Sequence, residues 1–542
     1  MYKPNHNHYQ QSLMDSSLWM SPKIREKLEK SWAPIFYTHV FCNIDEEPFA
    51  VLYGSTGKPN FPVNILLSLE YIKHMKTHND LELLDAFCFD YQVNYAVGIR
   101  TLGELNLSVR TLYLFRKRVY QYCIDNPGKE TLLFGQFVNL LQVFAKEAGI
   151  SMSDQRADTT MFMSNIKKAG RLSLAYDVLA KTVKAIPEAS RPQALAEVLT
   201  QDFKTTALYR SKPQDGESRL AQLLNLCKDA LQLLEAGPSA KGGDVARLAR
   251  RFLEEQSAPD ATGAKIAPKP NKEIKPGSLQ SAFDEGATYR NKGGVKQSGY
   301  VLELSETCGE DNDVQLITDY TVKPNNISDA SILPGRLPII HENTGCTDMY
   351  LDGGFHSEGI RQAAADNGIE VHLTNMSGTE PSKKMPPDRF EIDGASNIII
   401  KCPGGYAPTR AAVKSGQTTA HFPHHACSNC EYFGICHSKK QVKDNVVRIS
   451  LKALTACRER AAIKAGIKEN TSKRAGIEGS NSALKRKGLN KLKVRGEEKC
   501  NIACGLIVTV QNIKRFIKYM QGGYTQKNQN IPPSRIPMPK YC

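Results

Sequence analysis

The sequence of 542 residues predicts an α/β protein with an all-helical N-terminal region and two interrupting segments, one helical and one rich in cysteine. Three observations predict this. Apolar residues recur at helical spacing through residues 62–75 and 81–89. A strand-like run, a glycine turn, a helix-like run and a second strand follow one another from Asp348 to Leu373. Leucine and alanine recur at helical periods across residues 174–253, apart from the cysteines gathered between Cys402 and Cys436.

Residues 1–149 are expected to be a helical DNA-binding domain. Within them Ser108-Val109-Arg110-Thr111-Leu112 opens a Ser-capped helix that continues to Arg116-Lys117-Arg118. Arg110, Arg116, Lys117 and Arg118 could face phosphate in the manner of a helix-turn-helix module, or only solvate a core helix. Residues 150–170 carry the first strand, with Asp158 in Asp154-Gln155-Arg156-Ala157-Asp158-Thr159-Thr160. Residues 171–257 read as a helical insert broken by Pro187, Pro192 and Pro213, a spacer or dimerisation arm. Residues 258–297 read as an exposed linker, with Pro259, Pro268, Pro270 and Pro276 among Lys and Gly.

Residues 298–376 resume the sheet, with strands at 299–303 and 314–321 and a helix start at 328–333. The next strand ends at Asp352, a turn follows at Gly353-Gly354, and a helix opens near Ser357. The C-terminal end of a parallel strand is where open α/β sheets place ligands, although Asp352 could also simply cap the turn. Residues 377–450 form an insert with Cys402 and then Cys427-x₂-Cys430-x₅-Cys436, followed by His437. A Cys-x₂-Cys turn puts two thiolates within reach of one ion, and Cys402 or His437 could complete a tetrahedral Zn²⁺ site. His421, His424 and His425 are near in sequence. Free thiols and an iron–sulfur cluster are the other readings.

Residues 451–520 contain Arg474, Glu478 and Lys485, whose spacings of four and seven put them on one side of a helix. The alternative is a solvated helix with an ordinary i,i+4 ion pair. Residues 521–542, rich in Gly, Asn and Pro, are expected to be a mobile tail.

From Ser438 onward there are 24 Lys and Arg against 6 Asp and Glu, a net charge of +18 in a chain that carries +15 overall. Such a basic stretch attracts polyanions. Fourteen scattered cysteines in so long a chain fit a reducing cytosol. No signal-peptide pattern opens the sequence and no apolar run approaches bilayer length, so a cytoplasmic protein without a membrane partner is expected.

Three motifs carry a resemblance: Asp158-Thr159-Thr160 with Ser164-Asn165, Asp352-Gly353-Gly354-Phe355-His356-Ser357, and Arg474, Glu478 and Lys485. The chain resembles the DDE transposases of bacterial insertion sequences, whose last motif is of the Tyr-Arg-Glu-Lys type; Thr471 stands at the tyrosine position. The resemblance implies a ribonuclease H-like mixed sheet with catalytic, metal-holding Asp158, Asp352 and Glu478, Asp158 bridging two ions. It implies Arg474, Lys485 and Arg486 on transposon-end phosphates, and a homodimer acting on transposon ends and target DNA. Oxygen ligands suit Mg²⁺ or Mn²⁺, and two such ions can activate a nucleophile and stabilise a leaving oxygen. The implied reaction frees a 3′-hydroxyl at the element's end and transfers it into target DNA. A catalytically inactive zinc-containing DNA-binding relative and a nuclease without strand transfer are the alternatives.

Overall fold

The periodicities resolve into two units in a computed structural model, Met1–Cys346 with Ile477–Cys542, and Thr347–Gly476. The structure describes residues 1–9, 14–167, 169–209, 215–237, 243–260, 265–292, 294–375 and 384–523. Pro213 and the expected tail from residue 524 lie outside the described residues.

In the first unit, helices form at Val63–Lys76, Asp80–Phe89, Val109–Asp125 and Leu132–Ala148. Their starts are chemically specified. Asn79 and Glu82 form a reciprocal capping box, and the Ser108 hydroxyl accepts from the Thr111 backbone N–H. Residue 149 closes no separate core, because the Glu497–Met520 helix is apolar on two sides and serves two cores at once. Leu506, Val510, Ile513 and Phe516 pack among the N-terminal helices, where Phe516 stacks on Phe144 with ring centroids 4.5 Å apart. Cys500, Cys504, Ile507 and Val508 face the sheet core with Tyr300, Leu302 and Leu304.

That sheet begins with β1 (Asp154–Phe162), followed by β2 (Thr288–Lys292), β3 (Val295–Thr307) and β4 (Ile317–Pro324). The long β3 is antiparallel to all three others, with Asp158 opposite Leu304 and Leu304 opposite Tyr320. Residues 300–307 of β3 are all buried, so both faces of the sheet are covered there. Gly299 has φ +142° and a Cβ built on it would meet the Phe162 carbonyl at 2.2 Å, so the register of β3 on β1 requires glycine.

The helical insert folds on its own apolar surface. Helices Arg171–Ala185, Gly216–Ala236 and Gly243–Gln256 share a core that includes Val178, Leu179, Leu224, Cys227 and Phe252. The stretch expected as an exposed linker differs from that expectation. Residues Ser257–Pro259 pair with Ile266–Pro268, and the Asn225 side chain bonds the Ile266 backbone through both its N–H and its C=O, at 3.2 and 2.9 Å. Pro259 and Pro268 sit in a short two-stranded edge, where a missing N–H costs no ladder bond, and β2 then belongs to the sheet itself.

The second unit opens with β5 (Asp348–Leu351), parallel to β6 (Glu370–Leu373), with the Ser357-capped helix Glu358–Asp366 between them. A four-stranded antiparallel sheet follows, made of β7 (Arg410–Lys414), β8 (Gln417–Phe422), β9 (Ser438–Lys440) and β10 (Asn445–Ser450) in the order β7-β8-β10-β9. Its core is small: Phe390, Ile399, Ala420, Phe422, Val447, Ile449 and Leu454. Leu454 lies in the first turns of the helix Leu451–Leu484, whose residues through Gly476 belong to this unit. Among the described residues no helix is long and apolar enough to cross a membrane.

Candidate active site

In the first unit, Ile477, Ser480, Asn481 and Leu484 are buried at spacings of three, four and seven, which is one stripe of the helix. Glu478 falls on the flank of that stripe and is exposed. Asn481, one turn further on, donates from Nδ2 to Asp158 Oδ2 at 2.9 Å. Asp158 is 7% exposed, in the middle of β1. The structure therefore brings the helical turn of Glu478 onto the strand of Asp158.

A buried ionic cluster fixes that turn. Glu306 on β3, fully buried, receives Arg156 of β1 at 2.7 Å and Arg515 of the Glu497–Met520 helix at 3.1 Å. The Ser480 hydroxyl donates to the same carboxylate at 2.5 Å and accepts from Arg515 at 2.6 Å. A carboxylate with two guanidinium partners and a hydroxyl donor has the compensation that burial demands. Neither Asn481 nor Glu306 was singled out from the sequence. The only signal was that Asn481 lies three residues after Glu478, on the buried side of an amphipathic turn.

Lys485 is half-buried at the end of the helix, and exposed Arg486 donates to Ser482 at 2.9 Å. The helix then unwinds through Lys487 to Gly488 at φ +101°. Burial, reinforced by Lys514 and Arg515, pushes the Lys487 ammonium down to about 8.

In the second unit, Asp352 follows β5 directly. Its Oδ1 accepts from the Gly354 N–H at 2.7 Å, and its Oδ2 lies 3.6 Å from the Arg474 guanidinium. Asp352 is thus both the turn cap and the partner of the first cation of the third motif. One turn of helix holds this arrangement: Asn470 donates to the Leu373 carbonyl at 3.0 Å, and Lys473 donates to the Tyr350 hydroxyl at 2.9 Å. Thr471, at the family's tyrosine position, is exposed. His356 faces Glu459 at 3.0 Å; burial, then Arg361 and Arg460, pushes its imidazole below the usual range.

A second acidic group, also absent from the sequence reading, sits at the opposite ends of β5 and β6. Ligand atoms of Asp348, Glu370 and His372 lie within 4.8 Å of one another. His372 already bonds Asp348 at 2.8 Å, and its ring stacks on Tyr350. Burial opposes ionisation of Asp348, but hydrogen bonds from His372 and Thr347 outweigh it and hold the carboxyl below its usual range.

Among the N-terminal cations, Arg116 is committed internally, with Nε 2.7 Å from Glu70 and Nη2 2.7 Å from Asp80. This occupies the donors that a phosphate would need, and it departs from the expectation of a DNA-facing side chain. The Asp80 pair leans on Lys73 as well, at 2.6 Å. Arg110 and Lys117 are exposed, on a face shared with exposed Tyr113 and Leu114 at spacings of three, four and seven. Arg118 covers the Tyr53 ring at 4.8 Å.

Residues 401–517 match the family model described as a transposase DDE domain. The matched stretch contains Arg474, Glu478 and Lys485, and it also contains the cysteines that the sequence reading placed in an insert. Comparison with curated proteins and with solved structures finds no match. By class, the chain has a DDE-type domain of a nucleic-acid-processing enzyme. The match over residues 401–517 supports an insertion-sequence DDE transposase.

Proposed function

We propose that the protein is a metal-dependent transposase that cleaves at the ends of its own insertion sequence and transfers the freed 3′-hydroxyl into target DNA, with Asp158, Asp352 and Glu478 acting together on a ribonuclease H-like fold. The observation that carries this reading is the hydrogen bond from Asn481 to Asp158, one helical turn from Glu478. It joins two motifs that are far apart in sequence and that the family uses for the same chemistry.

The donor set fits a hard divalent cation. All three acidic residues offer oxygen, and Asn481 Oδ1, buried beside Asp158, has no hydrogen-bond partner among the described residues. Asp158, Asp352 and Glu478 would hold Mg²⁺ or Mn²⁺, which when bound supplies activation of the attacking oxygen and stabilisation of the leaving one. The chain's own groups orient and bind. Arg474 aligns Asp352, while Lys485 and Arg486 supply positive charge for the phosphates of the element's end. Arg110 and Lys117 extend the phosphate-binding surface, and the protein works as a homodimer across two ends.

The test is cleavage of a labelled duplex carrying the element's own end, with Mg²⁺ or Mn²⁺, comparing wild type with Asp158→Ala. Metal-dependent nicking that disappears in the variant supports the reading. Binding without nicking in both proteins identifies an inactive DNA-binding relative. Nicking without joining of a pre-cut end to target DNA identifies a nuclease.

A further inference from the structure

We propose that Cys402, Cys427, Cys430 and Cys436 form a structural site for a single zinc ion, held by four thiolates and distinct from the acidic residues above. All four line one cavity of 20 Å³, closed by Phe390, Phe422 and Val447. They come from separate places in the chain. Cys427 sits on the short helix His424–Ser428, Cys430 and Cys436 on the turns after it, and Cys402 on a turn of its own.

The Cys402 turn is built for this approach. The Cys402 N–H donates to the Tyr406 carbonyl at 3.0 Å, and the Gly405 N–H returns to the Cys402 carbonyl at 2.8 Å. A Cβ on Gly404 would come within 3.1 Å of Cys430 Sγ, so a glycine there lets the turn close onto the second half of the site.

Two of the neighbouring histidines are engaged elsewhere, and the lining of the cavity decides the ligand set. His437 Nε2 is 2.9 Å from the Met385 carbonyl, and His421 Nδ1 is 2.8 Å from Asp444. None of the four histidines lines the cavity. Four sulfur ligands in a tetrahedral set select zinc or an iron–sulfur cluster, and a space of 20 Å³ accommodates one ion rather than several irons with bridging sulfides.

The energetic need is local. The sheet β7–β10 has seven buried apolar residues at its centre, a core too small to hold many turns and short strands by itself. One ion ties the Cys402 turn to the Cys427–Cys436 segment and leaves β10 and Leu454 braced at the start of the helix that carries Arg474 and Glu478. On binding, each thiol releases its proton to solvent and coordinates as thiolate, with no change of oxidation state.

The full-length chain, expressed with zinc and iron both supplied, is analysed for metal content and for reactive thiols. The expected result is about one zinc per chain, little iron, and four additional reactive thiols after zinc is removed by a chelator. Cys430→Ser is expected to lose the zinc, while Cys88→Ser, in the other unit, retains it. If Cys430→Ser does not fold, wild type reloaded with Co²⁺ replaces it as the readout. Intense thiolate-to-cobalt charge-transfer absorption supports the site, and its absence overturns it. Folded wild type free of zinc, zinc retained by a Cys402→Ser/Cys430→Ser double variant, or stoichiometric iron would each overturn the assignment.

Discussion

Asn481 Nδ2 donates to Asp158 Oδ2 at 2.9 Å, and the other polar atom of the same carboxamide, Oδ1, is buried without a hydrogen-bond partner among the described residues. An acceptor held this way beside an acidic residue is suited to a cation. Asn481→Ala is expected to cost about 1 kcal/mol of stability, to leave DNA affinity unchanged, and to shift the Mn²⁺ dependence of end cleavage to higher metal concentration. A metal titration of cleavage checks this; an unshifted curve would show that Asn481 only braces the helix.

Glu306 gathers β1, β3, Ser480 and Arg515 around one buried carboxylate. Glu306→Gln is expected to destabilise the protein by about 3–5 kcal/mol, because buried Arg156 and partly buried Arg515 lose their counter-charge. Thermal unfolding measures the loss. A change below about 1 kcal/mol would contradict the view that this cluster fixes the turn of Glu478.

Glu303 lies fully within the sheet, and neither carboxylate oxygen has a hydrogen-bond partner among the described residues. Burial, then the Asp319 carboxylate with Asp329 and Asp158 behind it, raises its pKa well above the usual range, and Arg336 opposes the shift only in part. A raised folded pKa means that the neutral acid is favoured in the native state. Its contribution is fully present below the unfolded pKa and is lost as pH rises through the folded one. Denaturant midpoints of wild type should therefore fall between pH 5 and pH 8 more steeply than those of Glu303→Gln. Parallel pH profiles would refute this.

Arg116 and its neighbours separate internally paired from exposed charge on one helix. Arg116→Ala, which strands buried Glu70, is expected to cost about 1–3 kcal/mol. The double variant Arg110→Ala/Lys117→Ala should change stability by no more than about 0.5 kcal/mol, yet lower the slope of log affinity against log salt by about 2. Binding isotherms across salt concentrations test the second expectation, and a slope that stays the same removes this face from the DNA surface.

Local signals made much of this legible. The run from Asp348 to Leu373 announces its strand, turn, capped helix and strand because each element is specified by near neighbours, and Ser108 marks a helix start for the same reason. What stayed hidden depends on distant partners. Asn481 finds Asp158 across 323 residues, and an asparagine within a helix gives no sign of that. Glu303 looks like a solvent-facing residue of an alternating strand, between Leu302 and Leu304, yet β3 is buried on both faces. Arg116 differs from Lys117 only by helix phase, which sets it beside Phe115 and over Glu70 and Asp80. The stretch near Pro268 looked exposed because its anchor, Asn225, belongs to the helical insert.

The two-sided Glu497–Met520 helix has a consequence for the order of synthesis. The N-terminal helices leave the ribosome long before it, with Phe36, Phe144 and their neighbours still lacking Leu506, Val510, Ile513 and Phe516. Those apolar surfaces, and the unfinished side of the sheet, stay open until the helix emerges, so neither half matures while the rest is being translated. Premature termination or a frameshift before Glu497 yields an aggregation-prone fragment rather than a free-standing helical module.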